Sequence, residues 1–192
     1  MSEKRDDKTA AKLTPAAFFD VDGTLSSTNV IRTYLDFWLQ GLPRHVRLVW
    51  LARFLPKVPY YALLDTLSRA QFGKAFYKNY ARVEHSRLAL WAETAVERYW
   101  QPRLFPQALE RLRYHREADH RVILVSGGVE PTLKPLARFL KVDALVAAEP
   151  EVKDDHLTGR LIHGPMSAER KAEATRRIGA DLNVDLEQSY AY

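Results

Sequence analysis

Two carboxylates one residue apart, Asp20 and Asp22, stand directly behind the apolar run 16–19 and in front of Gly23-Thr24. That run has the continuous apolar character of a parallel strand buried on both faces. Groups just past the carboxyl end of such a strand lie in the crevice where α/β sheets bind ligands. Once the strand gives way to a turn, which Gly23 permits, both acids can face one ligand. One acid could then attack the ligand or hold a metal while the other moves a proton. An ordinary strand exit uses the same residue types, but Asp-x-Asp-Gly-Thr after an apolar strand is a more specific pattern.

Two further stretches carry chemistry. Ser126-Gly127-Gly128 follows the β-branched run 121–125 and is expected to open the next helix, whose first turn suits Pro131. A hydroxyl, small residues that allow close approach and free N–H groups at a helix start all favour an anion. Such a turn is often only structural. Lys171 lies in the first turn of a helix predicted over 168–178, with Ser167 as N-cap. The helix dipole disfavours a cation there. Arg170, its neighbour, is a rival on these grounds.

The elements that must position these residues alternate. After Leu25 the pattern is helical: Val30, Tyr34, Phe37 and Trp38 share one face. Gly41-Leu42-Pro43 breaks that helix, a second is expected over 44–55, and Pro56 and Pro59 are expected to close it. Tyr60, Leu63, Leu64 and Leu67 mark a third helix, and Phe72, Ala75 and Phe76 a fourth. The stripe from Leu88 through Trp91 to Tyr99 marks a fifth, and the range 106–117 a sixth. A helix through Leu133, Leu136 and Leu140 then precedes an apolar run over 144–148. A hairpin over 152–162 should turn at Asp154-Asp155, and Ser189-Tyr190-Ala191-Tyr192 could begin one more strand. This is the order of an α/β fold with a Rossmann-like parallel sheet. The block 28–101 is too long for one crossover and reads as a helical cap inserted after the first strand. The sheet domain then comprises 15–27 and 102–192, behind a flexible tail over 1–14.

Bulk properties narrow the chemistry. With no cysteine there is no disulfide or thiolate site, and the six histidines lack metal-ligand spacing. Neither a signal-peptide core nor a spanning apolar run is evident, so a cytoplasmic address is expected. Residues 41–100 carry 10 basic and 4 acidic side chains, and the whole net charge of +5 is exceeded there. That segment should meet something anionic. Within it, Arg44, Arg47, Arg53 and Lys57 interleave with Leu, Trp, Phe and Tyr, so peripheral contact with an anionic membrane is one reading. A helical bundle with core aromatics and solvated cations is the other. No nucleic-acid-binding motif accompanies the charge, and nucleic acid is not an expected partner.

The stretch Phe18-Phe19-Asp20-Val21-Asp22-Gly23-Thr24-Leu25 resembles the first signature of the haloacid dehalogenase-like (HAD) hydrolase superfamily. Ser126-Gly127 resembles its second motif, and Gly164-Pro165 with Lys171 its third. The helical insertion looks like the phosphoserine phosphatase-like branch. Asp65-Thr66-Leu67-Ser68-Arg69, Phe76-Tyr77-Lys78-Asn79-Tyr80 and Thr158-Gly159-Arg160 are similar to patches of its IB-type subfamily. The resemblance implies a Mg²⁺-dependent phosphatase for a small phosphorylated substrate. Asp20 would be the nucleophile and metal ligand, and Asp22 the general acid/base, with its backbone carbonyl on the metal. Thr24, Ser126, Gly127 and Lys171 would bind phosphate, and Arg69 would contact substrate from the cap. Gly23 stands where phosphoserine phosphatases usually have Ser, which speaks against phosphoserine. Asp119 replaces a frequent turn glycine. In relatives a strand like 189–192 continues into Gly-Asp-Ser-x-x-Asp, which completes the metal site. The expectation from the 192 residues alone is weak Mg²⁺ binding and little activity.

Overall fold

In the computed structural model, which describes residues 13–163 and 168–192, the strand behind the two acids lies between two parallel neighbours. This is β1 (Thr14–Phe19), flanked by β2 (Arg121–Val129) and β5 (Val184–Ala191). The sheet continues through β3 (Ala144–Lys153) to an antiparallel edge strand, β4 (His156–His163), giving the order β4-β3-β2-β1-β5. β2 and β3 lie on one side of β1 and β5 on the other, so the winding reverses at β1, where α/β sheets place their ligand crevice. Side chains alternate across the sheet. Ala17, Phe19, Val122 and Leu124 face one core, and Ala16, Phe18, Ile123 and Val125 face a second. The second is covered by Ile178 of α8 (Ala168–Asp181). The first holds α6 (Pro106–Glu117) through Leu112 and α7 (Glu130–Leu140) through Leu133 and Leu136.

Between β1 and α6 come α1 (Val30–Leu39), α2 (Arg44–Phe54), α3 (Val58–Leu67), α4 (Arg69–Tyr77) and α5 (His85–Ala95). Asn29 caps α1 and Ser68 caps α4, each by accepting a backbone N–H with its side chain. Tyr34 is the hub of an aromatic cluster, in ring contact with Trp38, Trp50, Phe54, Phe76 and Tyr80. Buried edge-to-face and stacked rings of this kind join apolar area with a favourable quadrupole geometry. The hairpin closes over these helices: Arg82 N–H donates to Leu157 O and Leu157 N–H to Val83 O, both at 2.8 Å.

Several expectations need correction. β1 begins at Thr14, so Thr14 and Pro15 belong to the sheet; residues 1–12 of the expected tail, and Gly164, Pro165 and Ser167, lie outside the described residues. Pro59 opens α3 instead of closing α2, because proline's missing N–H costs nothing in a first turn. After α5 the chain widens into a π-helical turn over Val96–Trp100 before Pro102. The run 144–148 and the first half of the hairpin are one strand, with Pro150 accommodated where the register shifts. β5 starts five residues before Ser189, and it was hidden by its polarity. Its ladder with β1 is interrupted at Pro15, and the Ser189 hydroxyl fills the gap by accepting from Ala16 N–H at 2.9 Å. Asp154 and Asp155 do turn the hairpin, both with positive φ, and Asp119 adopts φ 57° in its turn.

Gly159 shows why the Thr-Gly-Arg stretch has its glycine. Its φ is +82°, and a Cβ there would lie 3.1 Å from both Lys78 Cα and Ala81 Cβ. The flanking Thr158 and Arg160 side chains both bond Glu151 Oε2, at 2.6 and 2.9 Å, which fixes the strand pair. Gly159→Ala should therefore cost on the order of 2 kcal/mol, from left-handed strain plus overpacking. Urea unfolding measures this, and an unchanged midpoint would show that β4 is not clamped against residues 78–81.

Candidate active site

Asp20 is the first residue beyond β1, and its backbone is fixed on both sides. Its N–H donates to Tyr192 O at 3.1 Å, and its carbonyl accepts from Leu25 N–H at 3.2 Å. Gly23 N–H donates to Ser26 O at 2.8 Å, and Ser26 N–H to Val21 O at 3.0 Å. The loop is thus coiled tightly, with Gly23 at φ 83°, a conformation costly for any residue with a Cβ. Phe105 N–H donates to Leu25 O at 3.0 Å and ties the loop to the entry of α6.

Lys171 Nζ donates to Asp20 Oδ1 at 2.6 Å, with both side chains about one-third exposed. The structure separates it from its rival: Arg170 lines a different cavity, of about 370 Å³, with Leu145, Ile162 and Glu173. Asp22 lies deeper. Its Oδ1 accepts from Thr28 Oγ1 at 3.4 Å, and Thr28 shares a 2.6 Å hydrogen bond with Ser26. Burial first, and then the Asp20 charge, push the Asp22 carboxyl up to about 6. Thr28, Arg69 and Lys171 oppose that rise.

Ser126 is buried, and its Oγ accepts the Gly128 N–H at 3.0 Å. It shares a cleft of about 10 Å³ with Asp22, Tyr77 and Tyr80. The expected helix start at Ser126 is not observed. β2 runs on to Val129, which pairs with Ala148 after a register shift, and α7 begins at Glu130. The N–H groups of this stretch therefore belong to an irregular strand end. Gly127 has open space where a Cβ would project, and its carbonyl accepts the Tyr77 hydroxyl. Thr24 is half-buried in the turn and lines neither cavity that Asp22 enters.

The second of those cavities, about 200 Å³, lies between Asp22, Ile31, Tyr61, Phe72, Asp65 and Arg69. Arg69 Nη1 stands 2.8 Å from both Asp65 carboxylate oxygens, so the arginine is at once ion-paired and on the cavity wall. Two contributors escaped the sequence reading. Thr28 is Asp22's hydrogen-bond partner, and Tyr77 orients Gly127 from α4. The only sequence signals were the hydroxyl-rich Ser26-Ser27-Thr28 and the tyrosines of 76–80. Among the described residues no group of three or more His, Cys, Asp and Glu side chains forms a metal cage.

The family model for haloacid dehalogenase-like hydrolases matches residues 17–192, a span that contains every residue of this constellation. The chain belongs to that family. It is 35% identical over 88 residues to a phosphoserine phosphatase of Mycobacterium tuberculosis, covering 46% of this chain and 22% of that one. It is 26% identical over 194 residues to a probable phosphatase of the same organism, covering 96% and 64%. A Bordetella pertussis protein of unknown function shares the fold, with a TM-score of 0.72 at 23% identity, over 94% and 82% of the chains. The likeness to the phosphoserine phosphatase branch stands. The chain spans between about a fifth and two thirds of those curated relatives' length.

The raised Asp22 carboxyl has a consequence for stability. Its ordinary value is 3.8, so between there and about 6 the folded state binds more protons than the unfolded chain. Stability contributed by this group is therefore greatest at low pH and falls as pH rises through that window. Asp22→Asn, which cannot ionise, should gain on the order of 2 kcal/mol more at pH about 7.5 than at about 4.5. Urea unfolding of both proteins in chelator-treated buffer measures the difference. Equal effects at the two pH values would mean that Asp22 is ordinarily solvated.

Proposed function

We propose that this HAD hydrolase is a phosphomonoesterase acting through an aspartyl-phosphate on Asp20. The observation that carries the reading is the Lys171–Asp20 contact of 2.6 Å at the carboxyl end of β1, with the half-buried Asp22 two residues on. A nucleophilic carboxylate approaching a phosphate dianion needs cationic relief, and Lys171 supplies it without taking part in bond making.

Asp20 attacks phosphorus in line, the P–O ester bond breaks, and the departing alkoxide takes the proton held by Asp22. Asp22 then removes a proton from a water whose oxygen attacks phosphorus, releasing inorganic phosphate and restoring the Asp20 carboxylate. A carboxyl raised to about 6 suits both halves of that exchange. Ser126 and the Gly127 N–H hold phosphate oxygens, with Thr24 as a further candidate. Positioning and electrostatics carry most of such a reaction.

Magnesium fits this donor set. Asp20 and the Asp22 carbonyl are hard oxygen ligands, and the ion commonly uses one or two carboxylates together with substrate phosphate. The mutual repulsion of Asp20 and Asp22 is what a cation would relieve. When bound, the ion would neutralise charge on the phosphate and on Asp20. Residues 28–101 serve as the cap in this reading, and Arg69 contacts the substrate beside Asp22.

In the full-length protein, Asp20→Asn should abolish turnover of a phosphomonoester panel and the trapping of acid-stable phosphoenzyme. Retained turnover would overturn the nucleophile assignment. Arg69→Ala should raise KM for the preferred substrate at least tenfold while sparing p-nitrophenyl phosphate, since its pair with Asp65 is exposed and contributes about 0.5 kcal/mol. Equal losses on both substrates, with lowered stability, would make Arg69 structural.

A further inference from the structure

α2 and α3 are turned outward in a way their sequence does not predict. Seven of the sixteen large apolar side chains that are exposed among the described residues lie between Val46 and Leu67. The inward anchors are Trp50 and Phe54 from α2 and Tyr61 from α3, all joined to the cluster around Tyr34 and Phe76. At about 100° per residue, Leu48 and Val49 fall on the far side of α2 from Trp50 and Phe54, bordered by Arg44 and Arg53. By the same geometry Leu63 and Leu67 fall opposite Tyr61. Leu48, Leu63 and Leu67 are 68%, 57% and 70% exposed, and Leu55 between the helices is 51% exposed. Because both helices are anchored on one ring cluster, both outer faces point away from it.

The charge on this surface has one sign. No acidic residue occurs between Asp36 and Asp65, whereas Arg44, Arg47, Arg53 and Lys57 do. Apolar side chains at the crest and cations on the flanks match the two layers of a lipid interface, acyl boundary and anionic headgroups. A protein partner of ordinary composition would meet an apolar patch without requiring this exclusion of acids. No described helix is long and apolar enough to cross a membrane, so such contact is peripheral.

We infer that the outer faces of α2 and α3 form a docking surface for an anionic lipid bilayer. This does not rest on the phosphatase reading, and its test uses no activity.

The probe is flotation of the purified chain with vesicles of phosphatidylcholine alone or with about one third phosphatidylglycerol, in low and in physiological salt. Binding should require the anionic lipid and weaken with salt. Replacing Arg44, Arg53 and Lys57 together by Gln should lower partitioning on the order of a hundredfold, about fivefold for each cation lost. Leu48→Gln, Leu63→Gln and Leu67→Gln together should lower it at least tenfold. All six positions are exposed, so circular dichroism and the thermal midpoint should not move. Equal binding to both vesicle types, or binding unaffected by either triple variant, would overturn the inference. Absence of binding would also overturn it. So would concentration-dependent dimerisation in sedimentation that the leucine variants abolish without any lipid binding, since the face would then belong to a second copy.

Discussion

The contact on which the site depends is the one between Lys171 and Asp20, residues 151 positions apart in sequence. Two carboxylates held beside each other repel, and burying one of them costs more. Without a cation at Asp20, the coiled loop from Asp20 to Ser26 would gather negative charge at a strand end, opposed only by the Thr28 hydroxyl and the more distant Arg69. Lys171 can arrive only if α8 covers the second core through Ile178 and β5 then returns parallel to β1. The return is itself secured at the site: Tyr192 accepts the Asp20 N–H, and its ring stacks on Phe19 at 4.8 Å. The charge arrangement and the strand order are therefore one constraint.

A second dependence runs from the helices to the sheet. Tyr77 bonds the Gly127 carbonyl, and the Gly159 region of β4 lies against Lys78 and Ala81. The two contacts tie the short stretch 77–81 to both β2 and β4, and join the end of α4 to the irregular end of β2. That end is where Ser126 sits. Its hydroxyl is already engaged by the Gly128 N–H, which fixes the rotamer before any ligand arrives. In the proposed reaction, a hydroxyl held in this way would bring less ordering cost to phosphate binding.

What was legible in the sequence was whatever local chemistry dictates. The apolar run before Asp20, the glycine after Asp22 and the two aspartates at the hairpin each specify backbone geometry within a few residues, and each is found as read. The choice of Lys171 over Arg170 came from resemblance, and the fold places Lys171 on Asp20. Illegible features were those fixed by distant partners. β5 is polar over most of its length and is recognisable as a strand only through β1. Ser126-Gly127-Gly128 looked like a helix entrance because glycines usually end strands, yet pairing with Ala148 draws the strand past them. For Thr28 and Tyr77 a hydroxyl-rich stretch and a run of tyrosines were the only signals, and neither specifies the partner, Asp22 or the Gly127 carbonyl.

The position of α3 joins surface to interior. Tyr61, Ala62 and Asp65 line the cavity that reaches Asp22, while Tyr60, Leu63 and Leu67 face outward from the same three turns. A helix so short has little rigidity of its own and takes its orientation from what it packs on. Here that is Tyr61, wedged among Phe54, Phe72 and Phe76 and bonded through its hydroxyl to Asn79 at 2.7 Å. Asp65 of the same helix holds Arg69, the first residue of α4, on the cavity wall. The cavity wall and the outer face are thus two sides of one short helix, and the Tyr61 ring positions both.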